Sequence, residues 1–380
     1  MAKEGVEDIN MESVNEKLRK EYEKRKTYNP NIQKMVDEGR SRGSYMLPSM
    51  LNYKGLSNAE VKAKRKSIPK PIDTASGMID WSKSYKGNFD LLGRTAEVVE
   101  PPVPSLLLDL YPDNTVLAQS VRKLRTAYAG NAEEVRVNTG GQPQFNIGFN
   151  GEDLDEAALV ANANGNDAFI TNWYDQEDSN NFLQSTASRQ PQVVNAGAII
   201  KDGGKPTIDF GNGGLSTSSA VDLGGANELW LFMVINITDV ATTQVLYETS
   251  PTNVTNAGSV LVSIAGGDML IVQNSGSNRF VLRATPQTGL QILTIRYKSN
   301  QSDLDTADVW FNGSVQTLTI QGSGDSPTTY ADYKHFIGAR NETDFPFLGN
   351  ISEVILKTGD QSANRAGIEA NMAAYYGITI

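Results

Sequence analysis

The chain has 380 residues, with 34 Lys+Arg against 44 Asp+Glu, no cysteine and a single histidine, His335. Disulfide staples and thiolate metal sites are excluded, most histidine-based metal and acid–base schemes go with them, and carboxylates are the chemistry that remains. No run of about 18 apolar residues occurs, and the first residues lack an apolar signal core, so the reading is synthesis in a cytoplasm with no membrane span and no cofactor.

Charge is unevenly placed. Residues 1–100 carry 19 basic and 15 acidic side chains, whereas residues 101–380 carry 15 and 29. An acidic region of that kind repels nucleic acid, whose phosphates need a basic footprint. The basic leader is expected instead to seek an acidic protein surface.

In chain order, residues 11–26 place Val14, Leu18 and Tyr22 at helical spacing among charges. This predicts an amphipathic helix with a thin apolar stripe, or else a solvated or disordered tail. A second short helix is expected over Ile32–Glu38, stopped by Gly39. From Gly39 to Pro104 no period is sustained, yet aromatic and apolar residues such as Tyr45, Met46, Trp81, Tyr85 and Phe89 recur too often for a plain linker. An extended arm lying on another protein fits this texture. The basic run Lys62–Lys66 reads as a solvated face or a targeting patch, and Glu100–Pro104 (EPPVP) as a stiff hinge.

Beyond residue 105 the texture is that of a mostly β domain. Helices are expected at Leu117–Tyr128 and near Asp153–Ala161, and a last one over Ser362–Gly377 with Ser362 as its N-cap. Strands are expected at Thr207–Phe210, Glu228–Thr238, Thr243–Glu248, Ser259–Ile264, Asp268–Gln273, Phe280–Ala284, Gln291–Tyr297, Asp308–Phe311, His335–Ile337 and Ile351–Lys357. The stretch WLFMVINI (Trp230–Ile237) is apolar on both faces, as in a central strand, whereas ILTIRY (Ile292–Tyr297) alternates like a half-exposed one. AGGDM and FNGS are hairpin turns. Asp303–Asp308 (DLDTAD) gathers oxygen ligands but lacks the glycine and distal glutamate of a calcium loop, so a solvated acidic loop is the better reading and no metal site is expected.

The segments Ala118–Val137, Phe145–Asp155, Ala168–Val194, Gly204–Gly213 and the closing Ile337–Ile378 resemble, in order and spacing, the catalytic domain of the fungal-type α-L-arabinofuranosidase B family, over about residues 105–380. The resemblance implies a concanavalin-like jelly-roll β-sandwich with a few short helices, here preceded by an extended, partly helical arm at residues 1–104. Domains built this way are common among tailed-bacteriophage structural proteins. It therefore implies a virion protein, a head fibre or capsid decoration or else a tail component. Its arm would join capsid or other virion proteins, its sandwich would bind host or mucosal glycans, and its assembly would be a homotrimer.

By position, the resemblance makes Glu248 the nucleophile candidate and Glu342 or Asp344 the acid candidate. The family's cysteines and its Gly-Asn-Ala-Glu run are absent around Glu248, and Arg340-Asn341-Glu342 stands where the family has an aspartate. Lost catalysis is therefore expected ahead of an active arabinofuranosidase, with Glu248 and Glu342 as solvated strand-end or loop carboxylates. Trp173, Tyr174, Asp175 and Gln176 offer the aromatic faces and paired hydrogen-bonding groups that sugar rings need. The competing reading has Trp173 and Tyr174 filling the core and Asp175 capping a turn.

Overall fold

The computed structural model describes residues 106–380, apart from 178, 212, 252–255, 277–278 and 323–324. The expectations for the arm, namely the helices at 11–26 and 32–38, the basic run and the hinge, lie outside the described residues.

A short helix α1 (Leu107–Leu110) leads into strands β1 (Thr115–Ser120), β2 (Glu133–Val137) and β3 (Gln144–Ile147). Helix α2 (Glu156–Ala163) precedes β4 (Ala168–Trp173), β5 (Phe182–Leu183), β6 (Gln192–Asn195), β7 (Ile208–Asp209) and β8 (Leu215–Thr217). The long hairpins follow: β9 (Glu228–Ile237), β10 (Gln244–Thr249), β11 (Val260–Ala265), β12 (Asp268–Asn274), β13 (Arg279–Ala284), β14 (Gly289–Lys298) and β15 (Ala307–Phe311). The chain finishes with β16 (Thr319–Gly322), β17 (His335–Ile337), β18 (Gly349–Thr358) and helix α3 (Arg365–Tyr376).

All strand pairs are antiparallel. One layer runs β15–β14–β9–β18, with β1 and β7 sharing the far edge of β18. The other runs β16–β13–β12–β11–β10–β17–β8–β5–β4, and β2 with β3 extends it beyond β4. β6 bonds both β4 and β7 and so joins the two layers. Their inner faces enclose one apolar core that includes Leu117, Val135, Ile170, Trp173, Phe210, Phe232, Tyr247 and Ile355. This is the mostly β sandwich expected.

Local chemistry explains most element ends. Gly266-Gly267 and Asn312-Gly313 all have positive φ (63°, 86°, 47° and 75°), the conformation a two-residue hairpin needs, so AGGDM and FNGS turn as expected. Asp155 caps α2 by accepting from the Ala158 N–H at 3.0 Å. Helix α3 starts from Asn364 rather than Ser362, whose own N–H donates to Asp360 Oδ1 at 2.9 Å in a side-chain turn. It stops at Gly377 in the left-handed region.

Two expectations are corrected by tertiary contacts. Leu117–Tyr128 is not a helix: its first residues form β1, the partner of β18. Strand β14 is buried on both faces through Ile292–Ile295, because α3 lies against it. Asp303–Thr306 forms a short 3₁₀ turn before β15, and among the described residues no group of acidic side chains gathers as a metal site.

The two ends of the sandwich meet in a buried polar clasp. Arg122, just past β1, is 1% exposed and grips fully buried Glu353 of β18 through Nε at 2.8 Å and Nη2 at 3.1 Å. Ser120 and Tyr376 hydroxyls lie 2.8 and 3.1 Å from the same carboxylate oxygen, and Arg122 Nη1 reaches Glu152 at 3.0 Å. Nearby, the buried Lys357 ammonium donates to Tyr111 O, Asp113 O and Thr115 Oγ1 at 2.7, 2.9 and 2.6 Å. All three of its protons are therefore used. Removing one partner of a buried pair strands the other charge, so Arg122→Met should cost about 3–5 kcal/mol in urea unfolding. The double variant Arg122→Met/Glu353→Met should recover much of that loss.

Two buried titratable groups oppose each other in pH. His335 is fully buried on β17 with Nδ1 2.6 Å from the Tyr247 hydroxyl and Nε2 without a partner, and burial pushes it down to about 3. Glu133 on β2 has neither oxygen bonded, and burial pushes it up to about 8. Below pH 6.5 the unfolded chain binds the histidine proton and the native state refuses it, so this stability is lost as pH falls toward 3. Between pH 4.5 and 8 the native state holds the Glu133 proton and the unfolded chain does not, so that stability is lost as pH rises. Each group contributes about 1.4 kcal/mol per pH unit inside its window. Glu133→Gln should accordingly raise stability relative to the parent at pH 8 and bring little gain at pH 4, read by thermal unfolding across pH.

Candidate functional site

Directly opposed residues of neighbouring antiparallel strands project to the same face. Ser216 of β8 opposes Phe336 of β17, and Phe336 opposes Glu248 of β10, so these three form one row across the layer. The adjacent row, Leu215, Ile337 and Tyr247, is fully buried in the core.

The loop Arg340–Phe345 brings further groups to this row. Arg340 and Asp344 exchange two backbone hydrogen bonds, each 2.8 Å, and Phe345 O accepts from Val245 N at 2.9 Å. To make so tight a closure, Asn341, Glu342 and Phe345 take φ values of 50°, 65° and 55°. The left-handed region is tolerable for asparagine but costly for phenylalanine, and strain of that kind concentrates where function over-determines the backbone.

The loop is held by two carboxylates. Fully buried Glu248 accepts from Ser250 Oγ at 2.9 Å and from Arg340 Nε at 2.9 Å. Glu342 accepts from the Ser216 hydroxyl and, at 3.3 Å, from Gln184 Nε2. Gln184 also donates to Gly214 O at 2.7 Å, and its own carbonyl receives Gln190 Nε2, while Gln190 Oε1 receives Arg136 Nε at 2.6 Å. A polar chain thus runs from Arg136 to Glu342. The Arg340 guanidinium lies 5.7 Å from the Phe345 ring centre, and Phe345 is 45% exposed.

Of the residues read from the sequence, Glu248 and Glu342 are brought to one loop, whereas Asp344 sits exposed at its neck. Neither paired carboxylate is a free strand-end group. The Trp173–Gln176 quartet has a different fate. Trp173 is fully buried; Asp175 Oδ1 accepts from Ala118 N at 2.7 Å and its Oδ2 from Asn180 N at 3.2 Å. Gln176 accepts from Leu124 N at 2.8 Å and donates to Arg122 O at 2.8 Å. Asp175 and Gln176 bond to β1 and the residues just after it, and Trp173 lies in the core. Tyr174 alone is half-exposed, its hydroxyl 2.8 Å from Asn146 Oδ1. Arg340, Ser216, Gln184 and Phe345 were missed, because a serine, a glutamine and a turn carry no spacing signal of their own.

The sequence matches no family model and no curated protein. Among solved structures, the chain is similar to an arabinofuranosidase complexed with arabinofuranosyl-α-1,2-xylobiose, at 13% identity and TM-score 0.49 over 70% of this chain and 64% of that one. A GH54 α-L-arabinofuranosidase soaked with a cyclic sulfate inhibitor gives 14% identity and TM-score 0.48 with the same coverage. The CBM40 of the Ruminococcus gnavus IT-sialidase gives 13% identity and TM-score 0.29 over 41% of this chain and 96% of that one. The chain thus spans less than two thirds of the arabinofuranosidases' length, and such low scores assign no residue here a role.

The geometry makes Arg340 the counter-charge on which buried Glu248 depends. Arg340→Met should destabilise by about 2–3 kcal/mol, less than a fully buried pair because Arg340 reaches solvent, and adding Glu248→Gln should restore most of it. Urea unfolding of the single and double variants measures this.

Proposed function

We propose that the chain is a bacteriophage virion structural protein, a head fibre or capsid decoration, whose sandwich binds host or mucosal glycans without cleaving them. The observation that carries the glycan reading is the half-exposed Phe345 ring, presented by a strained loop beside the Arg340 guanidinium. An open aromatic face stacks on sugar C–H groups while neighbouring polar groups meet hydroxyls.

Hydrolysis is disfavoured by the same geometry. A retaining glycosidase needs one carboxylate free to attack and a second that carries a proton, about 5 Å apart. Here each of the four oxygens of Glu248 and Glu342 already accepts a bond from a protein donor. Ser250 and Arg340 occupy the Glu248 oxygens and Ser216 and Gln184 those of Glu342, so both carboxylates are committed to the scaffold.

Virion attachment is supported by the charge split, a basic leader before an acidic domain. Many copies on a particle would let weak sites act together. The test has two arms. On glycan arrays the full chain should bind and Phe345→Ala should lose about tenfold or more, while release of nitrophenol from a chromogenic arabinofuranoside stays at background. Deletion of residues 1–100 should free a folded sandwich that no longer copurifies with particles. Enzymatic turnover abolished by Glu248→Gln, with no recovery on particles, would refute the proposal.

A further inference from the structure

At one end of the layer formed by β1, β9 and β18, three chain segments leave a recess that none of the preceding contacts uses. It has a volume of about 440 Å³ and is lined by residues before β1, before β9 and after β18. That volume is within the range of small-molecule sites, which run from about 300 to 1,000 Å³.

One wall is rigid. Glu228 is held by Arg296 at 2.7 and 3.1 Å and by the Trp230 indole N–H at 2.6 Å. Arg296 lies 5.2 Å over Trp230, which stacks on Trp310 at 5.6 Å. The charge of Glu228 is thus neutralised and its geometry locked before any ligand arrives, which lowers the ordering cost of binding.

The remaining lining is polar and open. Asn114 and Asn227 are exposed, and the Asn114 amide has no hydrogen-bond partner among the described residues. Asp360, 68% exposed, uses one oxygen for the Ser362 N–H at 2.9 Å. Gly225 adopts φ 67°, and a Cβ placed there would meet no protein atom within 4 Å, so the glycine leaves room rather than filling it.

We infer that this recess is a second saccharide site, specific for a neutral sugar unit; the inference rests on the glycan-binding reading above. Carboxamides supply a paired donor and acceptor and a carboxylate supplies a strong acceptor, the set that vicinal hydroxyls match. Arg296 pairs with Glu228 and lies 3.9 Å from Asp360, so two carboxylates face one guanidinium and the wall keeps a net negative charge that disfavours sialylated and phosphorylated ligands. No aromatic lines it, so recognition here rests on hydrogen bonds to sugar hydroxyls rather than on stacking, unlike the Phe345 face.

The test is ligand-observed NMR titration of the full chain with lactose, cellobiose and 3′-sialyllactose. Asn114→Gly keeps a residue suited to φ 59° while removing the amide, and Asp360→Asn keeps the acceptor to Ser362 while removing the charge. Circular dichroism confirms that each variant folds. The expected result is binding of a neutral disaccharide that weakens about tenfold in each variant and survives at this site in Phe345→Ala. Neutral-sugar binding that Phe345→Ala abolishes and these two variants leave intact overturns the second site alone. Preference for sialyllactose overturns its specificity for neutral sugars, and silence of the parent chain toward all three sugars overturns both this site and the glycan reading.

Discussion

The Arg122–Glu353 pair is the constraint on which the rest of the sandwich depends. Arg122 follows the first strand, Glu353 lies in the last, and Tyr376 of the closing helix reaches the same carboxylate. Two opposite charges taken out of water are tolerable only when each finds its partner and every remaining lone pair is bonded. The clasp meets that condition with Ser120, Tyr376 and Glu152, and the Tyr375 ring lies 4.7 Å from the guanidinium. Such a pair adds little net stability over an apolar filling. It does penalise any register of β1 against β18 in which a charge is left alone, as Lys357 does four residues further along. The edge strand and the terminal helix are thereby placed, and the apolar core closes between them.

Once the layers are fixed, the candidate site follows from strand order. β8, β17 and β10 align Ser216, Phe336 and Glu248, and the loop after β17 must fold back over that row. Its left-handed residues are held by bonds at both ends: backbone exchange between Arg340 and Asp344, and side chains docking on Glu248 and Ser216. The Gln190–Gln184 relay carries support from Arg136 across the layer. What reaches solvent is an aromatic ring beside a guanidinium. The carboxylates beneath accept bonds from the scaffold, and Asp175 and Gln176 do similar work around β1.

The strands legible in the sequence were those whose signal is local. Trp230–Ile237 is buried along nearly its whole length between β14 and β18, and the Asn-Gly and Gly-Gly turns take positive φ. Leu117–Tyr128 misled for the opposite reason. Its residues favour helix weakly, a preference worth a few tenths of a kcal/mol per position. The β18 ladder and the buried clasp outweigh that preference and draw its first residues into β1. Short pieces such as Phe182–Leu183 and Leu215–Thr217 have too few residues to show any period.

By itself, therefore, the sequence determined an antiparallel β domain with a terminal helix, an acidic body behind a basic leader, and the two glutamates worth following. Only the tertiary structure decided that Glu248 and Glu342 share a loop through Arg340 and Ser216, that Phe345 faces solvent, and that Asp175 and Gln176 are spent on backbone. The reason is distance along the chain. Gln184 and Glu342 are 158 residues apart, as Ser216 and Glu342 are 126 apart, and no local pattern records a hydrogen bond that exists only after two layers have closed.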